Sequence, residues 1–264
     1  MTDLLTFIEQ TARAAGDLLR EGYGRAQHIE YKGAVDLVTE YDHLSETLIL
    51  GRLRAAYPEH AIRAEESGRL GASAEFEWWV DPVDGTTNFA HGFPIFAVSI
   101  ALARRGQVIA GAVYDPTRDE MFLAEAGQGA ALNGTRLRVS AETRLDRALL
   151  TTGFPYDVRT NPENNFAQFM QFYKRAQAVR RPGAAALDCA YVAAGRVDGY
   201  WELGTKPWDI AAGALLVREA GGRVTTTSGS EVMWDQPTVL MTNGHLHAAM
   251  LRVLREGDAA PLPA

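Results

Sequence analysis

The stretch WWVDPVDGTTNFAHG, residues 78 to 92, places two carboxylates, Asp81 and Asp84, at the end of an apolar run. The aromatic and branched residues before them predict a strand, and the neighbouring Pro82 and Gly85 predict a sharp turn. A carboxylate is costly to bury unless a positive charge compensates for its lost hydration. The pattern therefore leaves two interpretations open, a solvated turn or a pocket in which both carboxylates hold a cation.

Acidic residues also stand at the ends of other predicted elements. Glu65 and Glu66 close a predicted strand, Asp209 lies at the start of a predicted helix, and Asp36 and Asp42 lie in VDLVTEYD. Each one alone is typical of a helix cap or a surface charge, but sites of layered α/β proteins gather where strands end. Oxygen ligands of this kind suit Mg²⁺ or Mn²⁺. Bound cations would also reconcile an acidic site with an anionic substrate.

The composition excludes several classes of protein. The chain has 264 residues, of which 47% are hydrophobic and 22% charged, and a formal net charge of −7. An acidic chain is a poor candidate for sequence-independent nucleic-acid binding, which depends on basic surface. The single cysteine, Cys189, rules out an internal disulfide and is interpreted as a core residue. We find no signal peptide and no run of the ~18 apolar residues that span a membrane, so we expect a cytoplasmic protein.

The first half of the chain predicts a mainly antiparallel sheet over residues 60–140. Turns are expected at Arg105-Gly106 and Pro116-Thr117, and Asn133-Gly134 is a strong hairpin signal. Two helices precede this sheet. The second half alternates strands and helices, which favours layered α/β sheets.

We therefore predict the α/β (α+β) class and a single domain. The predicted bounds are residues 1–264 for the domain, about 1–142 for the sheet-rich half, about 143–256 for the α/β half and 257–264 for a frayed tail.

Two long motifs resemble the signatures of the inositol monophosphatase family. Three shorter patterns with the expected order support this resemblance, which covers the chain from about residue 4 to residue 256. The motifs are WWVDPVDGTTNFAHGFPIFAVSIAL (78–102) and KPWDIAAGALLVREAGG (206–222), and the patterns are KGAVDLVTEYD (32–42), AEES (64–67) and GAAALDCAYVAAGRVDGYWE (183–202).

The resemblance implies a layered αβαβα sandwich of the inositol monophosphatase and fructose-1,6-bisphosphatase type, usually as a homodimer. It also implies dependence on Mg²⁺, with two or three ions per subunit, Mn²⁺ as a possible substitute and inhibition by Li⁺. Glu65, Asp81 and the Val83 carbonyl resemble the ligands of the first metal, and Asp81, Asp84 and Asp209 those of the second. A third ion would use Glu65 largely through waters.

The resemblance also assigns the catalytic residues. Thr86 resembles the hydroxyl that orients the attacking water, Asp42 its partner carboxylate, and Glu65 completes the set. Metal-polarised water would attack phosphorus in line, so no nucleophilic side chain is expected. Haloacid-dehalogenase-type phosphatases need D-x-D with a nucleophilic aspartate, and the D-x-x-D spacing here argues against that class.

Substrate contacts follow from the same motifs. The expected residues are Asp84, Gly85, Thr86, Gly183, Ala185, Glu202 and Asp209. The amides of Gly85 and Thr86 would bind phosphate, and Glu202 would accept a hydrogen bond from a polyol hydroxyl. Ala184 stands where many members carry Ser or Thr, and Pro182 precedes Gly183. The lost hydroxyl costs about 1 kcal/mol if it binds substrate, which bears on the choice of substrate. Lys32 resembles a family lysine near the metals.

Several functions are compatible with this resemblance. The first is hydrolysis of inositol 1-phosphate to inositol and phosphate. The same chemistry on fructose 1,6-bisphosphate, NADP, a 3′-phosphoadenosine nucleotide or histidinol phosphate is an alternative. Some bacterial relatives associate with transcription machinery and RNA, and Arg180 and Arg181 could belong to such a surface.

The remaining conspicuous residues receive structural interpretations. We interpret His91 as a loop residue and His245 and His247 as surface residues. The aromatic face of the helix predicted in NNFAQFMQFYKRAQAV is expected to be core or dimer contact; its residues are Phe166, Phe169, Met170 and Tyr173.

Overall fold

The structure is a computed structural model of the whole chain. It describes residues 3–25, 28–31, 37–71, 75–232, Trp234 and 238–260. Two residues named above, Lys32 and Asp36, lie outside this described part of the chain.

Seven α-helices lie within the described residues, and none of them is both long and apolar enough to cross a bilayer. They are α1 (Asp3–Gly22), α2 (Glu40–Ala56), α3 (Thr86–Ala90), α4 (Phe166–Tyr173), α5 (Ala185–Ala193), α6 (Pro207–Glu219) and α7 (His247–Glu256).

Fifteen β-strands are described in the same residues. Most of them follow the alternation and turn signals of the sequence. They are β1 (Ile29–Tyr31), β2 (Leu37–Thr39), β3 (Ala61–Ala64), β4 (Gly68–Leu70), β5 (Phe76–Asp84), β6 (Ala97–Arg104), β7 (Gln107–Asp115), β8 (Glu120–Glu125), β9 (Gly129–Leu132), β10 (Thr135–Arg136), β11 (Leu149–Thr152), β12 (Ala178–Arg180), β13 (Gly199–Leu203), β14 (Arg223–Thr225) and β15 (Thr238–Thr242).

The larger sheet has eight strands in the order β10-β9-β8-β7-β6-β5-β3-β4. All its neighbours pair antiparallel except β3 and β5, which run parallel. The predicted antiparallel sheet over residues 60–140 is therefore confirmed. The turns at Arg105-Gly106, Pro116-Thr117 and Asn133-Gly134 join β6 to β7, β7 to β8 and β9 to β10.

The second sheet has five strands in the order β12-β11-β13-β15-β14. Strand β11 pairs in parallel with both β12 and β13, whereas β15 pairs antiparallel with β13 and β14. Strand β12 was not predicted, because its residues continue the helix-like pattern of α4. Helix α4 instead ends at Tyr173.

The helices occupy three layers around these two sheets. Helices α1 and α2 pack on one face of the larger sheet, α5 and α6 lie between the sheets, and α4 and α7 cover the outer face of the second sheet. Three hydrophobic clusters fill the four spaces between the five layers, because the cluster around α5 and α6 reaches both sheets. The αβαβα sandwich implied by the family resemblance is confirmed.

Strand β5 shows why its sequence is continuously apolar. Trp78 belongs to the cluster beneath α1 and α2, whereas Trp79 belongs to the cluster beneath α6. Their relative exposures are 0% and 3%. Successive side chains of a strand point to opposite faces, so a strand covered on both faces needs apolar residues at both.

The predicted surface position of His247 is wrong. Its side chain is fully buried, with Nε2 3.0 Å from Thr225 Oγ1 and Nδ1 3.0 Å from Thr242 Oγ1. The ring therefore joins α7 to β14 and β15. His245, two residues earlier, is exposed as predicted. His247 was misread because a polar residue near a helix start resembles a solvated one, while its partners lie in distant strands.

The prediction of a frayed tail is also wrong for residues 257–260, the part of the tail that the structure describes. Gly257–Ala259 form a 3-10 turn, and Ala260 is buried. Arg175 anchors this segment, donating to the carbonyls of Gly257 and Ala260 and to Gln171 Oε1. A buried guanidinium at a distant position in the sequence thus fixes a segment whose own composition predicts disorder.

The aromatic face of α4 divides between two environments. Phe169 packs against the outermost hydrophobic cluster. Phe166, Met170 and Tyr173 are 55%, 50% and 61% exposed, so the core interpretation is wrong for these three. Dimer contact stays a prediction for them.

Titration of His247 should make part of the protein's stability depend on pH. Burial, with a smaller effect of Arg223, lowers the pKa of His247 from 6.5 to about 4. The unfolded chain binds this proton more readily, so stability is retained above pH 6.5 and is lost as the pH falls toward 4. Urea unfolding should show that the free energy of unfolding falls less steeply with decreasing pH in His247→Gln than in the wild type. The exposed control His245→Gln should retain the wild-type loss, and identical curves for the two variants would contradict the assignment.

Candidate active site

One cavity of about 290 Å³ collects nearly all the predicted site residues. Asp42 does not line it but bonds to a residue that does. The predicted residues on its wall are Glu65, Asp81, Val83, Asp84, Gly85, Thr86, Gly183, Ala185, Glu202 and Asp209. Side chains from both sheets and from the helix layer between them therefore meet at one place.

The end of β5 aims two carboxylates into the cavity. The pairing of β5 with β6 shifts register between Asp81 and Asp84, and the Val83 amide donates to Asp81 Oδ1 over 3.0 Å. Gly85 follows with φ +89°, where an added Cβ would lie 3.0 Å from the Ile95 carbonyl oxygen. Only glycine adopts this conformation at no steric cost, so the turn requires the glycine that follows D-P-V-D.

Asp84 completes a helix that lacks its own cap. The Ala185 amide donates to Asp84 Oδ1 over 2.9 Å and the Ala186 amide to Oδ2 over 2.8 Å. The N-cap of α5, Ala184, provides no side-chain hydrogen bond. Helix N-termini favour negative charge, and a carboxylate from the first sheet supplies it here. This contact supplies the cap that the Ala184 side chain cannot provide. It also means that the Ala185 amide is already used by Asp84.

Thr86 and Asp42 form the predicted pair. Thr86 Oγ1 lies 2.8 Å from Asp42 Oδ1 and 2.9 Å from the Val83 carbonyl oxygen. The other carboxylate oxygen of Asp42 accepts from the Thr39 amide at 2.8 Å and the Thr39 hydroxyl at 2.6 Å. The bond from the Thr39 amide is one half of the capping box of α2, in which the Thr39 side chain also accepts from the Asp42 amide. A local helix signal thereby holds a carboxylate against a turn that follows 44 residues later.

The carboxylates on this wall disfavour one another's charge. Burial, followed by the charges of Glu65, Asp84 and Asp209, raises the pKa of Asp81 well above its ordinary value. Burial also raises the pKa of Asp84 to about 7 and that of Asp209 to about 8. Asp209 is held by the Lys206 amide, 2.7 Å from its Oδ2. Such a wall requires either protons or added positive charge.

Glu202 stands on another wall of the cavity with a different set of neighbours. Burial raises its pKa to about 7, while the Tyr200 hydroxyl, which donates to it, and the positive charge of Arg181 act in the opposite direction. A Cβ added at Gly153 would lie 2.2 Å from the carboxylate oxygens of Glu202. The absent side chain at Gly153 therefore makes the space that Glu202 occupies.

Gly153, Tyr200 and Asp188 were missed by the sequence analysis. A lone glycine after a strand and an aromatic residue within a strand carry no signal of their own. Asp188 was hidden in a helical pattern. Arg181, singled out above for another reason, lines the cavity together with Lys206.

The residue types on the acidic wall fit a hard divalent cation. Asp81, Asp84 and Asp209 offer only oxygen atoms, which suits Mg²⁺. Their buried, mutually repelling charges are the kind that a cation offsets. No group of three acidic, histidine or cysteine side chains among the described residues already stands in an arrangement that could hold a metal ion.

Comparison with known proteins agrees with this geometry. The profile of the inositol monophosphatase family matches residues 1–259. The chain belongs to the inositol monophosphatase family. It is thus a member of a phosphatase family that is generally metal-dependent.

Individual relatives cover nearly the whole chain. It is 44% identical to an inositol-1-monophosphatase from Synechocystis over 258 residues, which is 96% of this chain and 90% of that protein. It is also 44% identical to the Nus factor SuhB from Pseudomonas aeruginosa over 264 residues, 97% of each chain. The solved structure of inositol monophosphatase from Anabaena superposes with a TM-score of 0.88 at 43% identity, covering 96% of both chains.

A side chain at position 153 should displace the Glu202 carboxylate and thereby weaken substrate binding. In Gly153→Ala the new methyl would overlap the carboxylate at 2.2 Å, so Glu202 must rotate away. We expect KM for a polyol phosphate to rise about tenfold, the loss of roughly one hydrogen bond to a charged group, with kcat changed less. Steady-state kinetics measure both constants.

Gly51→Ala is the matched control, because nothing lies within 4 Å of a Cβ at this position in α2. It should stabilise the protein by about 0.5–1 kcal/mol and leave KM unchanged. An unaltered KM in Gly153→Ala would show that Glu202 does not contact substrate.

Proposed function

We propose that this chain is a Mg²⁺-dependent phosphatase that hydrolyses phosphate monoesters of polyols, with inositol 1-phosphate as the first substrate. The observation that carries the proposal is the cavity itself, which an acidic wall with a threonine–aspartate pair shares with the half-buried Glu202. The identity to an inositol-1-monophosphatase from Synechocystis supports the choice of substrate. We further propose that the chain forms a cytoplasmic, Li⁺-sensitive homodimer built on a single domain.

The proposed ligands are those of the sequence analysis. Glu65, Asp81 and the Val83 carbonyl would hold one cation, and Asp81, Asp84 and Asp209 another. Bound cations would supply the charge that polarises a water molecule and offsets the charge on the phosphate. Two or three Mg²⁺ ions are proposed, with Mn²⁺ as a substitute.

Thr86 and Asp42 would orient the attacking water. The single proton of the Thr86 hydroxyl can point to Asp42 Oδ1 or to the Val83 carbonyl, at 2.8 and 2.9 Å. Either choice leaves the lone pairs of Oγ1 directed elsewhere, so the hydroxyl can accept a hydrogen bond from water. The amides of Gly85 and Thr86, at the start of a helical turn, would donate hydrogen bonds to the phosphate oxygens.

The far end of the cavity would hold the alcohol part of the substrate. Glu202 would accept a hydrogen bond from a hydroxyl, and Gly183 and Ala185, which line the same cavity, would contact the substrate as well. Arg181 and Lys206, both exposed, place positive charge at the same cavity. Their charge would attract a phosphate dianion from solution.

There are two alternatives to hydrolysis of inositol 1-phosphate. The same chemistry could act on fructose 1,6-bisphosphate, NADP, a 3′-phosphoadenosine nucleotide or histidinol phosphate. A transcription-related role is a second candidate, favoured by the name Nus factor for the relative from Pseudomonas aeruginosa. Binding to transcription machinery by Asp84→Asn, a variant expected to be inactive, would separate this role from catalysis.

A panel of phosphate esters, assayed for phosphate release during Mg²⁺ titration, tests the main proposal. Inositol 1-phosphate should be hydrolysed with the highest kcat/KM, and chelation of Mg²⁺ should abolish activity. Clear preference for histidinol phosphate would overturn the substrate, and full turnover by Asp84→Asn would overturn the site.

Removal of the Thr86 hydroxyl should affect the chemical step. We expect Thr86→Ala to lower kcat by about 10²- to 10⁴-fold, the range for a positioned proton-transfer group, with little change in KM. Thr86→Ser keeps the hydroxyl and should recover most of the rate. Equal activity of the two variants in steady-state assays would exclude the proposed role.

Neutralising one carboxylate should stabilise the metal-free protein. The folded protein raises the pKa of Asp81, so the wild type loses stability as the pH rises above the ordinary aspartate value of 3.8. Asp81→Asn avoids this loss, and its metal-free Tm should exceed that of the wild type by a few degrees near pH 8. The increase in Tm caused by Mg²⁺ should disappear in the variant.

Asp198→Asn is the control for this comparison. Asp198 is a buried carboxylate outside the cavity whose oxygens accept from Ser140 Oγ at 2.5 Å and the Leu149 amide at 2.7 Å. Its loss should lower Tm while preserving the Mg²⁺ effect. A lower Tm in both variants would argue against repulsion on the acidic wall.

A further inference from the structure

Asp188 is a cavity residue to which the proposed mechanism gives no role. It lies in the first turn of α5, is 1% exposed and forms part of the cavity wall. It belongs neither to the proposed metal ligands nor to the water-orienting pair. Its neighbours Glu202 and Asp84 are close enough to raise its pKa, after the larger effect of burial.

One oxygen of this carboxyl group, Oδ1, is buried and has no hydrogen-bond partner within the described part of the chain. Two other buried carboxylates of the site are satisfied: Asp84 by two amides of α5, and Asp42 by Thr39 and Thr86. An unsatisfied buried polar atom is unfavourable and requires an explanation. A ligand in the cavity supplies one, because Asp188 lines the space that the ligand would enter.

The charges around Asp188 restrict what that ligand can be. Glu202 and Asp84 add negative charge, while Arg181 and the nearby Thr151 hydroxyl act in the opposite direction. A second anionic group at this end of the cavity would face three carboxyl groups. A neutral hydroxyl meets no such repulsion, and since it both donates and accepts, it complements Oδ1 whether the carboxyl group is ionised or protonated.

We propose that Asp188 is a specificity-determining residue that, together with Glu202, binds two hydroxyls of one substrate molecule. The site would then select phosphate monoesters that carry at least two further hydroxyls and reject those with a second phosphate at that end. This inference rests on the proposed function and narrows its substrate class.

Paired substrates test the inference in the Mg²⁺-loaded enzyme. Inositol 1-phosphate carries several hydroxyls, whereas cyclohexyl phosphate has the same ring with none. Asp188→Ala should raise KM for inositol 1-phosphate about 5- to 30-fold, the equivalent of roughly one hydrogen bond, with kcat changed less than twofold. The kcat/KM for cyclohexyl phosphate should stay within about twofold of the wild type.

Two further variants separate recognition from folding. Asp188→Asn keeps an acceptor oxygen and similar shape, so it should recover most of the affinity for inositol 1-phosphate. Asp198→Asn, a buried carboxylate outside the cavity, should not change the ratio of kcat/KM between the two substrates. Thermal melting of each variant shows that the fold is retained.

Each outcome either supports or overturns the inference about Asp188. A loss confined to inositol 1-phosphate supports the inference. Equal losses on both substrates would reveal a merely structural role, and no loss on either would show that Asp188 does not contact substrate; both overturn it. Failure of the wild type to hydrolyse inositol 1-phosphate contradicts the proposed function as well, whereas wild-type turnover with equal losses contradicts the inference alone.

Discussion

Repulsion among buried carboxylates is the constraint on which the site depends. Asp81, Asp84 and Asp209 share one cavity wall, and each has a raised pKa whose largest cause is burial. Folding brings these groups together at a cost that the rest of the molecule must offset. Three hydrophobic clusters between five layers supply the rigidity that holds them there. An acidic cavity can bind an anion provided that cations lie between its carboxylates and the anion.

Much of the fold could be predicted because its signals are local. The antiparallel sheet follows from alternation and from the turns at Arg105-Gly106 and Asn133-Gly134, whose residues are those that tight turns require. Strand β12 was lost because Ala178–Arg180 follow directly on a helical pattern. His247 and the segment around Ala260 were misjudged because distant partners, Thr225, Thr242 and Arg175, bury them. Tertiary contacts of this kind leave no trace in local periodicity.

The residues of the site also fall into two groups, those with a local sequence signal and those without one. The residues proposed to hold metal ions, such as Asp81 and Asp84, stand in long motifs and were identified from them. The residues that shape the cavity did not stand out, since Gly153 acts by lacking a side chain and Asp188 lies within an apolar helix. The alanine at position 184 looked like a departure that weakened binding. In the structure Asp84 caps α5 in its place, a relation that no single stretch of sequence contains.

That cap has a consequence for how the protein matures. The Asp84–Ala185 hydrogen bond joins residues 101 positions apart, one from the larger sheet and one from the layer between the sheets. Contacts of such separation form only after much of the chain is already ordered. A nascent chain in which α5 has not yet emerged would contain Asp84 without the two α5 amides that hold its carboxylate. The complete cavity therefore forms late, and a proteolytic fragment of either half would lack one side of this contact.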